Sequence, residues 1–388
     1  MDRGSLSDVH RIVIKLGTHV VMRDGATLAD DRLNNLVDSV ARLRGEGREV
    51  VLVSSGAVGM GMRVLGLKER PRSLGLRQAC AAVGQSHLMQ LYTAAFAKRG
   101  LVAAQVLLTQ EDLGDRDKAL CVRTTLMRLL ELGTVPVLNE NDSVSVRELV
   151  EHNVRNGTAV SQTPIFGDND GLSALVAVAL DADLLVLLTN VDGFFTASPS
   201  VDPNAKRVSE LSAIDEATLA RALGSSSGGS GGMASKLEAA RLAISEGTAA
   251  VIANGTVPNI VDRVLTGEDV GTFVRTPAQR PRRLRHIAVA GRKQGALVVN
   301  AGALTALVER KASLLPIGVV AVEGDFGAGD LVEIRDGSGR VHGRGLVNYD
   351  AVACRKLCGR HSDDIDALLG YRGYDALVTR DNLVMGSL

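Results

Sequence analysis

The sequence contains little of what marks several large classes of protein. Its 388 residues include no tryptophan and only 3% aromatic residues, so few side chains are available to stack on nucleic-acid bases. Lys plus Arg and Asp plus Glu both number 44, and this balance argues against a main role in wrapping nucleic acid. The four cysteines show no disulfide-framework spacing. Cys354 and Cys358 have no second pair near them, which favours reduced thiols on a helix over a zinc site.

Long apolar runs and two common nucleotide-binding motifs are also missing. Residues 1–11 are polar and lack the apolar core of a secretory signal. The most apolar region, residues 172–188, is interrupted by Asp181 and Asp183 and is too short to span a bilayer. Neither the P-loop motif G-x-x-x-x-G-K-S/T nor the dinucleotide motif G-x-G-x-x-G occurs. We therefore expect a cytoplasmic protein that does not cross a membrane.

Strand-like and helix-like segments alternate along residues 11–265. The predicted strands lie at residues 11–16, 50–53, 102–108, 135–138, 184–188 and 249–253, and the predicted helices at 76–98, 116–132, 172–180 and 233–246. Repeated alternation of continuous apolar strands with helices predicts an α/β fold, in which a mainly parallel sheet is sandwiched by helices.

The character of the sequence changes near residue 276. A first domain is predicted at residues 9–272, followed by a Pro- and Arg-rich linker at residues 273–285. Beyond the linker, short apolar segments alternate with Gly and Asp turns, which predicts a small, mostly β domain at residues 286–365. Residues 366–388 are expected to form a C-terminal tail.

Two acidic-amide signatures mark a candidate site. Asn139–Asp142 follows a predicted buried strand, and Gly167–Asp170 opens a predicted helix. Ligands of open α/β sheets lie beyond the C-terminal ends of the strands, and a helix N-terminus adds unpaired N–H groups. Asp and Asn are also common in caps and turns, so one signature alone would indicate capping. Two of them, together with glycine segments at other strand ends, favour a site for a polar small molecule.

Four glycine-bearing segments are suited to cradle phosphate, because glycine lets backbone N–H groups approach an anion closely. They are Lys15–Thr18, Ser54–Ala57, Thr189–Gly193 and Gly228–Lys236. The Gly- and Ser-rich residues 224–232 also have the composition of a flexible linker. However, they lead directly into a predicted helix with Lys236 in its first turn, which suits anion binding better than domain tethering.

The order of these motifs resembles that of the amino acid kinase family. The matching segments are Lys15–Thr18, Val53–Ala57, Asn139–Asp142, Phe166–Asp170 and Gly231–Lys236. Residues 286–365 are similar to the PUA domain that many bacterial members carry, with Ser313–Gly318 and Gly345–Tyr349 as recognisable pieces, and Arg380–Val384 also matches. The resemblance covers nearly the whole chain and implies the amino acid kinase fold followed by a PUA-like domain.

The resemblance implies a particular reaction, the ATP-dependent phosphorylation of the γ-carboxylate of L-glutamate, which is the first step of proline biosynthesis. ATP is then a co-substrate and Mg²⁺ accompanies it. The chemistry agrees with the sequence, since a free carboxylate of pKa about 4.3 is ionised at neutral pH and needs no general base. None of the seven histidines lies in a motif. The family also implies a homo-oligomer, proline as feedback inhibitor and glutamyl phosphate reductase as a possible partner.

The resemblance also implies the roles of individual residues. The catalytic residues would be Lys15, Lys236 and Asp170, with the aspartate orienting both cations. The residues expected to bind glutamate are Ser55, Asp142, Asn169 and Asn139. Those expected to bind ATP are Lys15, Thr189, Asn190, Ser230, Gly231, Gly232, Met233, Ala234, Ser235 and Lys236. No direct protein ligand of the metal is expected, because Mg²⁺ usually keeps several waters beside the phosphates.

Two departures from the family pattern and two alternative functions stay open. Asn190 stands where the family usually has Asp, and residues 143–166 are longer than usual, as either a regulatory lid or a passive insertion. One alternative function is another carboxylate kinase of this fold, acting on acetylglutamate or aspartate. Another is RNA binding through the PUA-like domain, next to a basic run at residues 275–293. That run lacks interleaved aromatic residues and also suits a solvated linker.

Overall fold

In a computed structural model, the chain folds as two units, residues Met1–Gln279 and Arg280–Leu388. The structure describes residues 1–23, 27–71, 73–144, 169–199, 201–223, 232–276, 295–371 and 373–385. Within these ranges no helix is long and apolar enough to cross a membrane.

An eight-stranded sheet forms the centre of the first unit. The strands of this unit are β1 (Arg11–Leu16), β2 (Met22–Arg23), β3 (Thr27–Leu28), β4 (Glu49–Val53), β5 (Ala103–Leu108), β6 (Val135–Glu140), β7 (Leu184–Thr189), β8 (Glu210–Leu211), β9 (Ala249–Asn254) and β10 (Thr272–Val274). The order in the large sheet is β5-β6-β4-β1-β7-β9-β10-β8. Neighbouring strands are parallel except β9 and β10, and β2 pairs separately with β3.

Apolar residues on both sides of the strands explain why the sheet is covered on both faces. In β1, Ile12 and Ile14 pack into one apolar cluster, whereas Val13 packs into a second cluster on the opposite face. All three side chains are fully buried. Since successive residues of a strand point to opposite faces, this pattern requires a layer of helices on each side.

Helices supply both layers. Those of the first unit are Arg3–Asp8 (a 3-10 helix), Thr18–Val21, Asp30–Gly45, Ala57–Val64, Leu74–Ala97, Gln110–Gly114, Arg116–Glu131, Asn169–Ala179, Glu216–Leu223, Met233–Ser245 and Ile260–Leu265. Helix Leu74–Ala97, called the Leu74 helix below, packs on the face of Ile12 and Ile14. Helices Asn169–Ala179 and Met233–Ser245, called the Asn169 and Met233 helices, pack on the face of Val13.

The second unit contains a five-stranded sheet. Its strands are β11 (Gly295–Val299), β12 (Val319–Gly324), β13 (Leu331–Arg335), β14 (Val341–Leu346) and β15 (Leu383–Met385). Their order is β12-β11-β13-β14-β15, with β11 and β13 parallel and the other pairs antiparallel. The helices are Ala301–Glu309, Ala351–Leu357 and Ile365–Leu369, with 3-10 turns at Pro316–Gly318, Ser362–Asp364 and Arg380–Asn382. One side of the sheet and these helices enclose a separate apolar core.

The predicted fold class is confirmed: a mainly parallel sheet lies between helices, and a smaller, mostly β unit follows. The structure adds detail at the boundary predicted between residues 365 and 366. β15 lies within the expected tail of residues 366–388, but it pairs with β14 of the second sheet. At the first boundary, β10 belongs to the large sheet and includes the first residues of the predicted linker at 273–285. Residues 277–294 lie outside the described ranges.

Candidate active site

Four parallel strands bring the predicted site residues to one edge of the large sheet. β1 lies between β4 and β7, and β6 lies beside β4. In this register Lys15 of β1 is level with Val53 of β4 and Leu187 of β7, and Val53 is level with Leu138 of β6. The C-terminal ends of these strands therefore lie side by side, as expected for a ligand site of an open α/β sheet.

Asp170 joins two lysines at this edge. Its Oδ1 lies 2.5 Å from Lys15 Nζ, and its Oδ2 lies 3.1 Å from Lys236 Nζ. Ser235 Oγ donates a hydrogen bond of 2.8 Å to the same Oδ2. The side chains of Lys15, Lys236 and Asp170 are 4%, 5% and 0% exposed. Two ammonium groups thus share one carboxylate, which leaves an excess of positive charge among these three buried side chains.

The positions of the three residues follow from their secondary structure. Lys15 comes two residues after Val13 in β1, so it points to the same face of the sheet, where the Asn169 and Met233 helices pack. Asp170 lies in the first turn of the Asn169 helix, where the helix dipole favours a negative charge. Lys236 lies one turn into the Met233 helix.

The charge state of Asp170 is set by two opposing effects. Burial by itself would raise the pKa of Asp170, but the charges of Lys15 and Lys236, together with hydrogen bonds to the carboxylate, outweigh burial and hold that pKa well below its usual range. Hydrogen bonds from Lys15 and Ser235 act in the same direction as the lysine charges. Asp170 is therefore a carboxylate at neutral pH.

The backbone around Lys15 suits an anion. A Cβ added at Gly17 would lie 4.0 Å from both Lys15 Nζ and Thr189 Cα, so the ammonium group, Gly17 and the end of β7 converge. Gly56, after β4, has φ 101°, a conformation that favours glycine. The Met233 helix begins after Gly232, which makes no side-chain cap, and first-turn N–H groups of helices are common phosphate ligands.

A second polar cluster surrounds Asn169, the neighbour of Asp170. Asn169 Nδ2 lies 2.6 Å from Ser54 O, 2.9 Å from Ser55 Oγ and 2.9 Å from Asn139 Oδ1. Asn169 Oδ1 is buried and has no hydrogen-bond partner among the described residues. Because Asn169 and Asp170 are consecutive, the amide cluster and the lysine cluster share one helix N-terminus.

Two residues of the Leu74 helix contact this cluster through hydrogen bonds. Gln85 Oε1 accepts a hydrogen bond of 2.7 Å from Asn139 Nδ2. Tyr92 OH lies 2.9 Å from Ser54 Oγ, and burial raises the pKa of Tyr92 to about 12. The sequence does not point to either residue, because neither belongs to a glycine or acidic-amide motif. Their spacing of two helical turns, which places them on one helix face, was the only available signal.

A close contact between two helices holds the loop that carries Ser55. The helix Ala57–Val64 follows this loop and packs against the Leu74 helix. A Cβ added at Gly84 would lie 1.8 Å from Ala57 O, and one added at Gly61 would lie 1.8 Å from Cys80 O. Only glycine permits this approach, so the two residues fix the loop between β4 and the helix.

The other predicted site residues occupy the same edge or lie outside the described ranges. Thr189 is buried at the end of β7, and its Oγ1 is 3.4 Å from Asn190 Oδ1. Asp142 is half-buried in the turn after β6, and Met233 and Ala234 form the start of the Met233 helix. The predicted residues outside the described ranges are Gly167, Asp168, Ser230 and Gly231, together with residues 145–166 of the long segment.

The described side chains do not form a cage for a divalent cation. Within the described ranges, no group of three or more His, Cys, Asp or Glu residues converges. Asp170 is already paired with two lysines.

Two protein-family profiles match this chain. The amino acid kinase family profile matches residues 10–254, and the PUA domain profile matches residues 295–369. The chain therefore belongs to the amino acid kinase family.

Relatives named glutamate 5-kinase match it over almost its whole length. The one from Myxococcus xanthus is 46% identical over 99% of this chain and 98% of its own. Those from Moorella thermoacetica and Gloeobacter violaceus are 45% and 46% identical, over 99% and 96% of this chain and 98% of each relative. The resemblance inferred from the ordered motifs is thus confirmed, and so is the class of enzyme, a kinase.

Proposed function

We propose that this chain transfers the γ-phosphoryl group of ATP to the γ-carboxylate of L-glutamate, which forms L-glutamyl 5-phosphate and ADP and begins proline biosynthesis. The observation that carries the proposal is the buried cluster in which Asp170 holds Lys15 and Lys236 at the C-terminal edge of the sheet. Similarity to glutamate 5-kinases over almost the whole chain favours glutamate over acetylglutamate or aspartate as the acceptor.

The lysine cluster suits phosphoryl transfer to a carboxylate. A carboxylate oxygen of glutamate forms a bond to the γ-phosphorus while the bond from that phosphorus to the ADP oxygen breaks. The nucleophile is already ionised, so the main requirements are alignment and stabilisation of the charge on the transferring group. Lys15 and Lys236 supply the positive charge that stabilises the transferring group. They do so from buried positions, where electrostatic effects are stronger than in water. Asp170 keeps both ammonium groups at the edge despite their mutual repulsion.

The two clusters divide the substrates between them. ATP phosphates would lie against Gly17, the end of β7 at Thr189 and Asn190, and the segment from Ser230 to Lys236. The amino-acid end of glutamate would lie at the amide cluster. Residues Ser55, Asn139, Asn169 and Asp142 come from the ends of β4 and β6 and from the Asn169 helix. The consecutive residues Asn169 and Asp170 would then place the acceptor beside the cations.

Mg²⁺ would enter as part of the MgATP substrate. The ion neutralises phosphate charge when bound and usually keeps several waters, so the described residues need only bind the nucleotide. Asn190, in place of the usual Asp, would contact the nucleotide side through an amide and not through a carboxylate. Removal of Mg²⁺ with a chelator should stop turnover without lowering the melting temperature of the ligand-free protein.

The remaining partners are proposals drawn from the family. We propose a cytoplasmic homo-oligomer that is inhibited by proline and passes its unstable product to glutamyl phosphate reductase. RNA binding by the PUA-like unit stays a prediction, and the basic run at residues 275–293 lies mostly outside the described ranges. A gel-shift titration across salt concentrations would test it, since binding through phosphate contacts weakens steeply with salt.

Trapping the product tests the proposed function directly. Incubation with L-glutamate, ATP, Mg²⁺ and hydroxylamine should give γ-glutamyl hydroxamate, because hydroxylamine displaces phosphate from an acyl phosphate. Parallel reactions with N-acetyl-L-glutamate and L-aspartate compare the alternative acceptors, and reactions without ATP give the background. Hydroxamate formation from one of the alternative acceptors but not from glutamate would contradict the proposal.

A further inference from the structure

We propose that Gln85 is a positioning residue that holds a chain of three amides, and that this chain presents the Asn169 carbonyl oxygen to the α-ammonium group of the substrate. This role depends on the proposed function, since it requires glutamate as the acceptor. Gln85 lies in the interior of the Leu74 helix and belongs to none of the motifs that mark the site.

Two backbone groups determine which way the amides point. The N–H of Glu140 can only donate, and its acceptor, at 2.9 Å, is Asn139 Oδ1. The carbonyl oxygen of Ser54 can only accept, and its donor, at 2.6 Å, is Asn169 Nδ2. Turning either side-chain amide over would place donor against donor or acceptor against acceptor. Both orientations are therefore fixed by the main chain.

Gln85 completes the chain of amides at the end farthest from Asn169. Asn139 Oδ1 accepts from Asn169 Nδ2 at 2.9 Å, and Asn139 Nδ2 donates to Gln85 Oε1 at 2.7 Å. Asn139 is only 2% exposed, so without Gln85 its amide nitrogen would lose a partner that water cannot easily replace. The bond from Gln85 thus holds Asn139 in the orientation that Asn169 requires.

The chain of amides leaves one hydrogen-bond acceptor available to a ligand. Asn169 makes its close contacts through Nδ2, while its Oδ1 is buried and has no hydrogen-bond partner among the described residues. A buried acceptor without a donor is unfavourable, so the site favours a ligand that brings an N–H group to this position. In L-glutamate only the α-ammonium group can donate, because both carboxylates only accept. The amide chain therefore selects for an acceptor with an amino group.

Substitution of Gln85 tests this role against a purely structural one. Q85M keeps a side chain of similar length but removes the acceptor, whereas Q85E keeps an acceptor. The measured quantities are KM for glutamate, KM for ATP, and KI for glutarate, the same diacid without the amino group, as a competitive inhibitor. Q90M, on an exposed position of the same helix, is the matched control.

We expect Q85M to raise KM for glutamate about tenfold, the scale of one unpaired buried hydrogen-bonding group. KM for ATP and KI for glutarate should change little, because neither ligand brings an ammonium group to Asn169. Q85E should keep the wild-type ratio of KI for glutarate to KM for glutamate, or increase it. Q90M should match the wild type in all three constants.

An equal rise of KM for glutamate and KI for glutarate in Q85M would overturn the proposal, since it would indicate general distortion of the site. Unchanged constants would overturn it as well. Thermal melting shows whether Q85M is folded, and if it is not, Q85N withdraws the same acceptor and should give the same selective loss. Failure of the proposed function is seen separately, because the wild-type chain would then form no glutamyl hydroxamate.

Discussion

Replacement of Asp170 by Asn should destabilise the first unit strongly. The substitution keeps the shape of the side chain but removes the charge that holds Lys15 and Lys236 at 2.5 and 3.1 Å. The two buried ammonium groups would then repel each other across a neutral amide that has a single acceptor oxygen. Removal of one partner from a buried ion pair typically costs about 3–5 kcal/mol.

This loss is large enough to be seen by calorimetry or circular dichroism. In a domain of this size, ~1 kcal/mol shifts the melting temperature by about 2–4 °C, so Asp170→Asn should lower the first unit's Tm by roughly 10 °C at pH 7. Asp31→Asn is the matched control, because it removes an ion pair to Arg23 in which both side chains are largely exposed. Exposed pairs contribute little, so this control should melt close to the wild type.

The lowered pKa of Asp170 predicts how its contribution to stability depends on pH. The folded pKa of Asp170 is held below its unfolded value of about 3.9, so the ionised carboxylate stabilises the fold above that pH. The contribution is lost as the pH falls below about 4 toward the folded pKa. The gap in Tm between wild type and variant should therefore be constant from about pH 5 to 7 and narrow below pH 4. A variant with wild-type Tm at pH 7, or a gap that stays constant in acid while both proteins remain folded, would refute this reasoning.

Three other predictions concern the division of roles. Lys15→Ala and Lys236→Ala should each lower kcat for hydroxamate formation by ~10²-fold or more, with a smaller effect on KM for glutamate. The reason is that the cations act on charge that develops during transfer. Unchanged kcat in either variant would remove that lysine from the mechanism. Asp142→Ala and Asn169→Ala should raise KM for glutamate and leave KM for ATP nearly constant, and a selective rise of KM for ATP would mean that the two subsites are reversed. Truncation after residue 276 keeps every strand of the large sheet and should leave a folded chain that still forms the acyl phosphate; a folded but inactive truncation would show that the second unit contributes to activity.

The sequence by itself determined the local elements and most of the candidate site. Ile12, Val13 and Ile14 form a continuous apolar β-branched run. Such a run is typical of a strand buried on both faces, which predicts a parallel sheet between helices. Apolar residues at helical spacing begin directly beside Asp170 and Lys236, which predicts that both residues lie in the first turns of their helices. The order of the motifs along the chain is by itself sufficient to indicate the family.

The tertiary structure alone decided which of these residues meet. Lys15, Asp170 and Lys236 converge because β1 lies between β4 and β7 and because two helices pack on the Val13 face of the sheet. Strand order is set by packing among segments far apart in the chain, and no local pattern encodes it. For the same reason the sequence alone does not reveal the role of Gln85. In sequence Gln85 is an ordinary helix residue, and it gains a role only because the end of β6 brings Asn139 within hydrogen-bond distance of its amide.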